Sequence, residues 1–321
     1  MKILVLSNLY PPLYVGGYEL HCQIVVEGLR ARGHIVQVLT SDFDVARQWI
    51  PLVETNVQRS LKIHGMFGHP WLGIHELEKQ EQNNNETLRA EIEKFSPDLV
   101  YVWNMGGLSK SMLFTVQRLN IPMDFCVCDH WIARSADGDV WLSWWNRTNA
   151  SLKHRALRLL WSLNGHRKHS NIIAPTHSTS RLRFPRIHFC SRFLRDFTAD
   201  AGFDVSHGAV IYCPIRTQLF SGKPRTSAEP MTRLLYAGRL HPDKGVMTAL
   251  KSLELLRHKF TGQLTLCGRG EPDYETELKN FVSERKLPVE FMSVSNPDEM
   301  AAVYRSHHAL LFPSEWPEPF G

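Results

Sequence analysis

The chain has 321 residues, 43% hydrophobic and 21% charged, with a formal net charge of +5. That length accommodates roughly two domains with separate cores, and the composition excludes a disordered or fibrous chain. No apolar run reaches the ~20 residues of a membrane-spanning helix, and "MKILVLSNLYPPLY" is too short in its apolar part, and lacks the small-residue cleavage site, for a secretory signal.

In chain order, "KILVLSN" reads as a buried strand. "GYELHCQIVVEGLRARGH" follows as a helix, with Leu20, Ile24 and Leu29 near helical spacing and Gly33 as its stop. "IVQVLTSD" is a second strand, "EKQEQNNNE" an exposed polar connection and "ETLRAEIEKF" a helix. "PDLVYVWN", a helix from about Leu108 to Leu119, and "MDFCVCD" continue the alternation. After Pro230 a second series runs "RLLYAG", "GVMTALKSLELLRHKF", "GQLTLCG", "DYETELKNFVSERKL", "PVEFMS", "PDEMAAVYRSH" and "HALLFP". Strands alternating with helices predict parallel sheets covered on both faces. The expected architecture is two doubly wound α/β domains facing each other across a cleft, residues 1–215 and 232–321, joined by a Pro-, Ser- and Thr-rich linker at 216–231. Ligands of such sheets bind at the carboxyl ends of strands, so the loops after the strands are the places to look.

Three strand-to-helix loops are glycine-rich. In "NLYPPLYVGGYELH", Gly16 and Gly17 open a helix whose amides suit a phosphate; the bland reading is a structural turn. In "YAGRLHPDKG", Gly238 ends a strand, and Arg239 and Lys244 flank a loop positioned to cradle a diphosphate without a metal. In "LCGRGEPD", Gly268 and Gly270 are expected to line a nucleotide. The closing "FPSEWPEPFG" adds two carboxylates, Glu315 and Glu318.

Six scattered cysteines in apolar runs fit reduced, cytosolic thiols better than a disulfide framework. In "CVCDH", Cys126, Cys128 and His130 alternate on one strand face, where soft ligands can take zinc. No second cluster has ligand spacing, and buried cysteine ordinarily serves as a small apolar residue, so no metal is expected. Val140 to Arg195 contains no Asp or Glu but many Lys and Arg. This block implies an anionic partner: a phospholipid surface, a pyrophosphate-linked substrate or nucleic acid. Within it, Leu152, Ala156, Leu159, Leu160 and Leu163 form a stripe, with Lys153, His154, Arg155 and Arg158 largely off it. The helix either lies on a membrane or packs on the sheet. Trp141, Trp144 and Trp145 either stack on an acceptor, the favoured reading, or fill the core.

Taken together, "GGYELHCQIVVEGLRARGHIVQVLT", "IHFCSRFLRDFTADAGF", "LLYAGRLHPDKGV", "LTLCGRGE" and "LFPSEWPEPFG" resemble glycosyltransferase family 4, retaining nucleotide-sugar-dependent enzymes of the GT-B fold. The resemblance implies transfer of a sugar from a UDP- or GDP-sugar to a hydroxyl of a glycan or lipid-linked saccharide. It places the chain in polysaccharide or cell-envelope synthesis, in the cytoplasm and peripherally on the inner face of the plasma membrane. Neither a cofactor nor nucleic acid is expected. Arg239, Lys244, Glu318, Asp129 and His130 become the catalytic candidates. Gly16, Gly17, Gly238, Gly268, Gly270, Pro319, Phe320 and Gly321 become donor-binding candidates. Trp141, Trp144, Trp145, Lys153, Arg155 and Arg158 fall on the acceptor or membrane side. The family's E-x7-E motif begins at Glu318, so its second Glu is expected beyond Gly321, with the second domain incomplete. Where relatives carry His-Asp, this chain has Cys128-Asp129, leaving the His role to His130, to Asp129 or to neither. A nucleotide-sugar 2-epimerase and a non-catalytic nucleotide-sugar or glycan-binding protein are the alternatives.

Overall fold

The computed structural model describes residues 1–44, 55–65, 72–146, 150–163, 181–215, 217–221, 230–294 and 297–320. Gly321, Arg216 and residues 222–229 of the expected linker lie outside these. The chain divides into two compact units. One comprises Met1–Cys213 together with the chain end from Pro319; the other is Pro214–Glu318.

The first unit is built on seven strands: β1 Lys2–Leu6, β2 Ile35–Ser41, β3 Val57–Leu61, β4 Leu99–Val102, β5 Met123–Val127, β6 Ile187–Phe189 and β7 Ala209–Val210. Their order is β3-β2-β1-β4-β5-β6-β7, and every pairing is parallel. In β1 all of Ile3, Leu4, Val5 and Leu6 are buried. Alternate side chains go to opposite faces of the sheet, as a strand requires. Leu4 and Leu6 join one core with Leu39, Val100 and Phe125, whereas Ile3 and Val5 join another with Val36, Val38 and Trp103. Such continuous burial is the signature of a parallel sheet covered on both sides. The longer helices here are α1 Gly17–Ala31, α2 Ile74–Phe95, α3 Ser111–Arg118, α4 Leu152–Leu163 and α5 Arg192–Asp200.

One departure from the expected elements is informative. "EKQEQNNNE" is no exposed connection: it lies inside α2, and Glu81, Asn84 and Asn85 are fully buried. Most of their polar atoms are answered by other elements, the exception being Glu81 Oε1. The Ser111 hydroxyl donates to Glu81 Oε2 at 2.9 Å, the Thr115 hydroxyl donates to Asn85 Oδ1 at 2.7 Å, and Asn84 bonds the backbone of Lys62. A buried polar face is tolerable when its hydrogen bonds are made.

The second unit holds β8 Arg233–Ala237, β9 Gln263–Cys267, β10 Val289–Met292 and β11 Ala309–Leu311, all parallel in the order β10-β9-β8-β11. Its longer helices are α6 Val246–Leu255, α7 Pro272–Arg285 and α8 Pro297–Ser306. Tyr236, Leu264 and Leu266 pack on one face, Leu235 and Cys267 on the other. The expected pair of parallel, doubly wound sheets is therefore present. In each sheet the strand order reverses at one point, between β1 and β4 and between β8 and β11. Ligands of open α/β sheets bind beyond the strand ends at such reversals. Among the described residues, no helix is long and apolar enough to cross a membrane.

Candidate functional site

At the β8/β11 reversal, two loops interlock. After β8, Pro242–Lys244 forms a single 3-10 turn, capped by the His241 ring, which accepts from the Asp243 amide at 3.3 Å. The Glu315 amide donates to the Asp243 carbonyl at 2.9 Å, and the Thr248 hydroxyl of α6 donates to the Glu315 carboxylate. The loop carrying Glu318 is thereby held against the start of α6. Gly245 has φ +66°, and a Cβ there would lie 1.9 Å from the Pro313 carbonyl oxygen. Only glycine permits that conformation and that approach. A Cβ on Gly268 would likewise lie 1.9 Å from the Gly238 carbonyl oxygen, so the loops after β8 and β9 also meet backbone to backbone.

The expected Lys244 and Glu318 are brought together. Lys244 Nζ donates to Glu318 Oε1 at 2.6 Å, and the Ser314 hydroxyl donates to the same oxygen at 2.7 Å. Lys244 also lies 5.1 Å from the centre of the Trp316 ring, in cation–π range. Burial alone pushes the Glu318 carboxyl up. The hydrogen bonds from Lys244 and Ser314 outweigh it and hold the group below the usual carboxylate range. Arg239 is exposed at the end of β8, its carbonyl accepting from the Tyr236 hydroxyl at 2.7 Å. This end of the sheet thus presents two cations and an ionised carboxylate among glycine turns. Ser314 and Trp316 escaped the sequence reading because nothing in their spacing marks them. Pro319 and Phe320, read there as donor-binding, group with the first unit instead. Gly321 lies outside the described residues.

At the β1/β4 reversal, Gly16 and Gly17 do open α1. The Gly16 amide is not left for a ligand, however: it donates to Glu19 Oε2 at 3.0 Å, and Asn104 Nδ2 donates to Glu19 Oε1 at 3.2 Å. Glu19 is buried, and that burial raises its carboxyl above the ordinary range. A carboxylate thus already answers part of the helix N-terminus. Gly17 is exposed, and a side chain at either glycine would meet open space.

Extended geometry ends at Val127, which overturns the shared face read for Cys126, Cys128 and His130. The chain turns after Cys128, and the Asp129 carboxylate accepts from the His130 amide at 2.6 Å. His130 is buried with its ring 4.7 Å from that of Phe197 and 6.2 Å from that of Phe193. Cys128 instead faces His21 of α1 and Cys213.

Trp141 is also corrected. It is fully buried in the main core, where it offers no face to an acceptor. Trp144 and Trp145 remain half-buried, with ring centres 4.8 Å apart. On α4, Lys153 and Arg155 are exposed, whereas Arg158 donates to the Trp144 carbonyl at 2.6 Å and stacks over its ring.

The chain's likeness to solved structures follows this layout. It aligns with sucrose-phosphate synthase from Thermosynechococcus elongatus at 17% identity and a TM-score of 0.64, covering 100% of this chain and 77% of that one. It aligns with HepE from Anabaena, in complex with UDP-glucose, at 18% identity and a TM-score of 0.61, covering 100% and 76%. The catalytic domain of starch synthase IV from Arabidopsis thaliana, bound to ADP and acarbose, aligns at 14% identity and a TM-score of 0.60, covering 100% and 79%. Likeness at such identities establishes the fold, which is GT-B as expected. Residues 223–321 match the family described as Glycosyl transferases group 1, a segment that includes all three glycine and carboxylate loops of the second unit. No curated protein matches the chain by sequence. The segment match and the fold together support a glycosyltransferase.

Proposed function

We propose that the chain is a retaining glycosyltransferase that moves a sugar from a UDP- or GDP-sugar to a hydroxyl of a glycan or lipid-linked acceptor. The observation that carries this reading is the Lys244–Glu318 pair beside Arg239, set among glycine turns at the β8/β11 reversal. The leaving diphosphate gains negative charge as the sugar–oxygen bond breaks, and preorganised cations aimed at that charge are usually the largest catalytic contribution. Lys244 Nζ has three donors, so it can meet a phosphate while still holding Glu318. The ionised Glu318 is then placed to accept from sugar hydroxyls. Two cations in this position do the work of a divalent metal, so transfer needs none. HepE holds UDP-glucose and starch synthase IV holds ADP with a saccharide, and both precedents suit a nucleotide-sugar donor. The protein works in cell-envelope or polysaccharide synthesis at the cytoplasmic face of the plasma membrane.

A thermal-shift screen with UDP, GDP, ADP and their glucose derivatives tests the donor. One nucleotide family should raise Tm at concentrations where the others do not. Turnover with that donor should need no Mg²⁺ or Mn²⁺ and gain nothing from adding either. A flat screen defeats the donor reading, and turnover that depends on Mg²⁺ or Mn²⁺ defeats metal independence. Product formed from donor with no acceptor present identifies an epimerase instead.

A further inference from the structure

Three residues far apart in sequence converge beyond the carboxyl ends of β5 and β7: His21 on α1, Cys128 after β5 and Cys213 after β7. Cys128 Sγ lies 3.7 Å from His21 Nδ1 and 4.0 Å from Cys213 Sγ, and the ligand atoms of all three lie within 4.8 Å of one another. Ligand atoms on a tetrahedral zinc ion with Zn–S of ~2.3 Å stand ~3.8 Å apart, so this spacing is that of a metal's coordination edges. All six cysteines are free thiols. His21 is buried, while Cys128 and Cys213 are half-buried. The His21 ring is fixed edge-on to Trp103, 5.0 Å between centres, with Nδ1 turned to the sulfurs.

We propose that Cys128, Cys213 and His21 Nδ1 bind a soft divalent metal, with zinc the best fit. Binding deprotonates both thiols, so two protons leave as one Zn²⁺ enters and the imidazole binds neutral. The site fastens α1, the chain after β5 and the chain after β7 to one ion, a structural rather than diphosphate-binding metal. It does not depend on the glycosyltransferase reading.

Elemental analysis of the full chain, purified without chelators from zinc-supplied cells, should find about one zinc per chain. Cobalt(II) added to metal-free protein should produce thiolate-to-cobalt charge-transfer bands and the intense d–d absorption of a tetrahedral site. Cys213→Ser and His21→Ala should weaken binding by more than the roughly 10- to 100-fold typical of losing an outer-shell partner, whereas Cys267→Ser, in the second unit, should leave it intact. Wild-type protein without zinc that also shows no cobalt bands overturns the proposal, whatever the variants do. So does zinc retained by Cys213→Ser, or a native mass lighter by two hydrogens from a Cys128–Cys213 disulfide.

Discussion

Lys244 engages the Glu318 oxygen that Ser314 also meets and the Trp316 ring at once, and these two contacts decide what its loss should do. Lys244→Ala removes a cation from the proposed diphosphate site and leaves Glu318 partly buried with one donor fewer. Arg239→Ala removes only the cation, since that side chain is exposed. Each should lower turnover by ~10²-fold or more, the scale for one preorganised charge stabiliser. Lys244→Ala alone should also lower Tm, because a charge-assisted hydrogen bond contributes about 1.5–3 kcal/mol. Normal turnover in Arg239→Ala would return that residue to ordinary surface. Elsewhere, Glu81 poses a separate question of pH. Burial, reinforced by the Asp139 charge, pushes its carboxyl from the ordinary 4.5 up to about 8. The folded chain therefore keeps a proton that the unfolded chain releases above pH 4.5. This contribution to stability is fully present below that pH and is lost as pH rises through 8. Each pKa unit corresponds to ~1.4 kcal/mol, so Glu81→Gln should gain a few kcal/mol on the wild type between those limits. Parallel pH dependences of Tm for the two proteins would show that Glu81 is ionised in the fold.

Among the elements, the most exacting junction is the one between the loop after β8 and the loop after β11. Gly245→Ala must place a methyl group where the Pro313 carbonyl already stands, in a left-handed conformation that costs about 1–2 kcal/mol by itself. It should lower Tm and displace the Ser314–Glu318 loop, weakening nucleotide binding by calorimetric titration more than Gly17→Ala does. Equal effects would mean that the loop's position is set elsewhere. This junction also shows what a sequence can display. Apolar strands separated by helical repeats, with glycines and cations at the strand ends, are local patterns, so the parallel sheets and the residues Gly238, Lys244 and Glu318 were legible. What stayed hidden depends on contacts between distant segments. The polar run in α2 looks solvated until Ser111 and Thr115 arrive from α3. His130 looks like a continuation of β5 until the chain turns and buries it against α5. His21 and Cys213 carry no ligand spacing at all, because only the fold brings them to Cys128.

For the whole molecule, the charge distribution matters more than the net charge of +5. The stretch from Val140 to Arg195 has no acidic residue, and within it α4 exposes Leu152, Leu159 and Leu160 at 85%, 60% and 55% beside Lys153 and Arg155. An apolar stripe flanked by cations suits the interface of an anionic bilayer, where the leucines enter the acyl boundary and the cations meet headgroups. Arg158 is withdrawn from this role by its bonds to Trp144. Each Lys or Arg near such a surface contributes ~1 kcal/mol, so Lys153→Gln with Arg155→Gln should weaken binding to phosphatidylserine-containing vesicles by roughly 30-fold. Raising salt should weaken wild-type binding too, since the Debye length falls to about 3 Å at 1 M. Leu159→Ser with Leu160→Ser should weaken it at every salt concentration, because buried apolar area is not screened. Cosedimentation with vesicles of graded anionic content separates the two contributions. If wild-type protein ignores those vesicles at low salt, the leucines and cations of α4 serve some other contact, and the acid-free stretch has no membrane to meet.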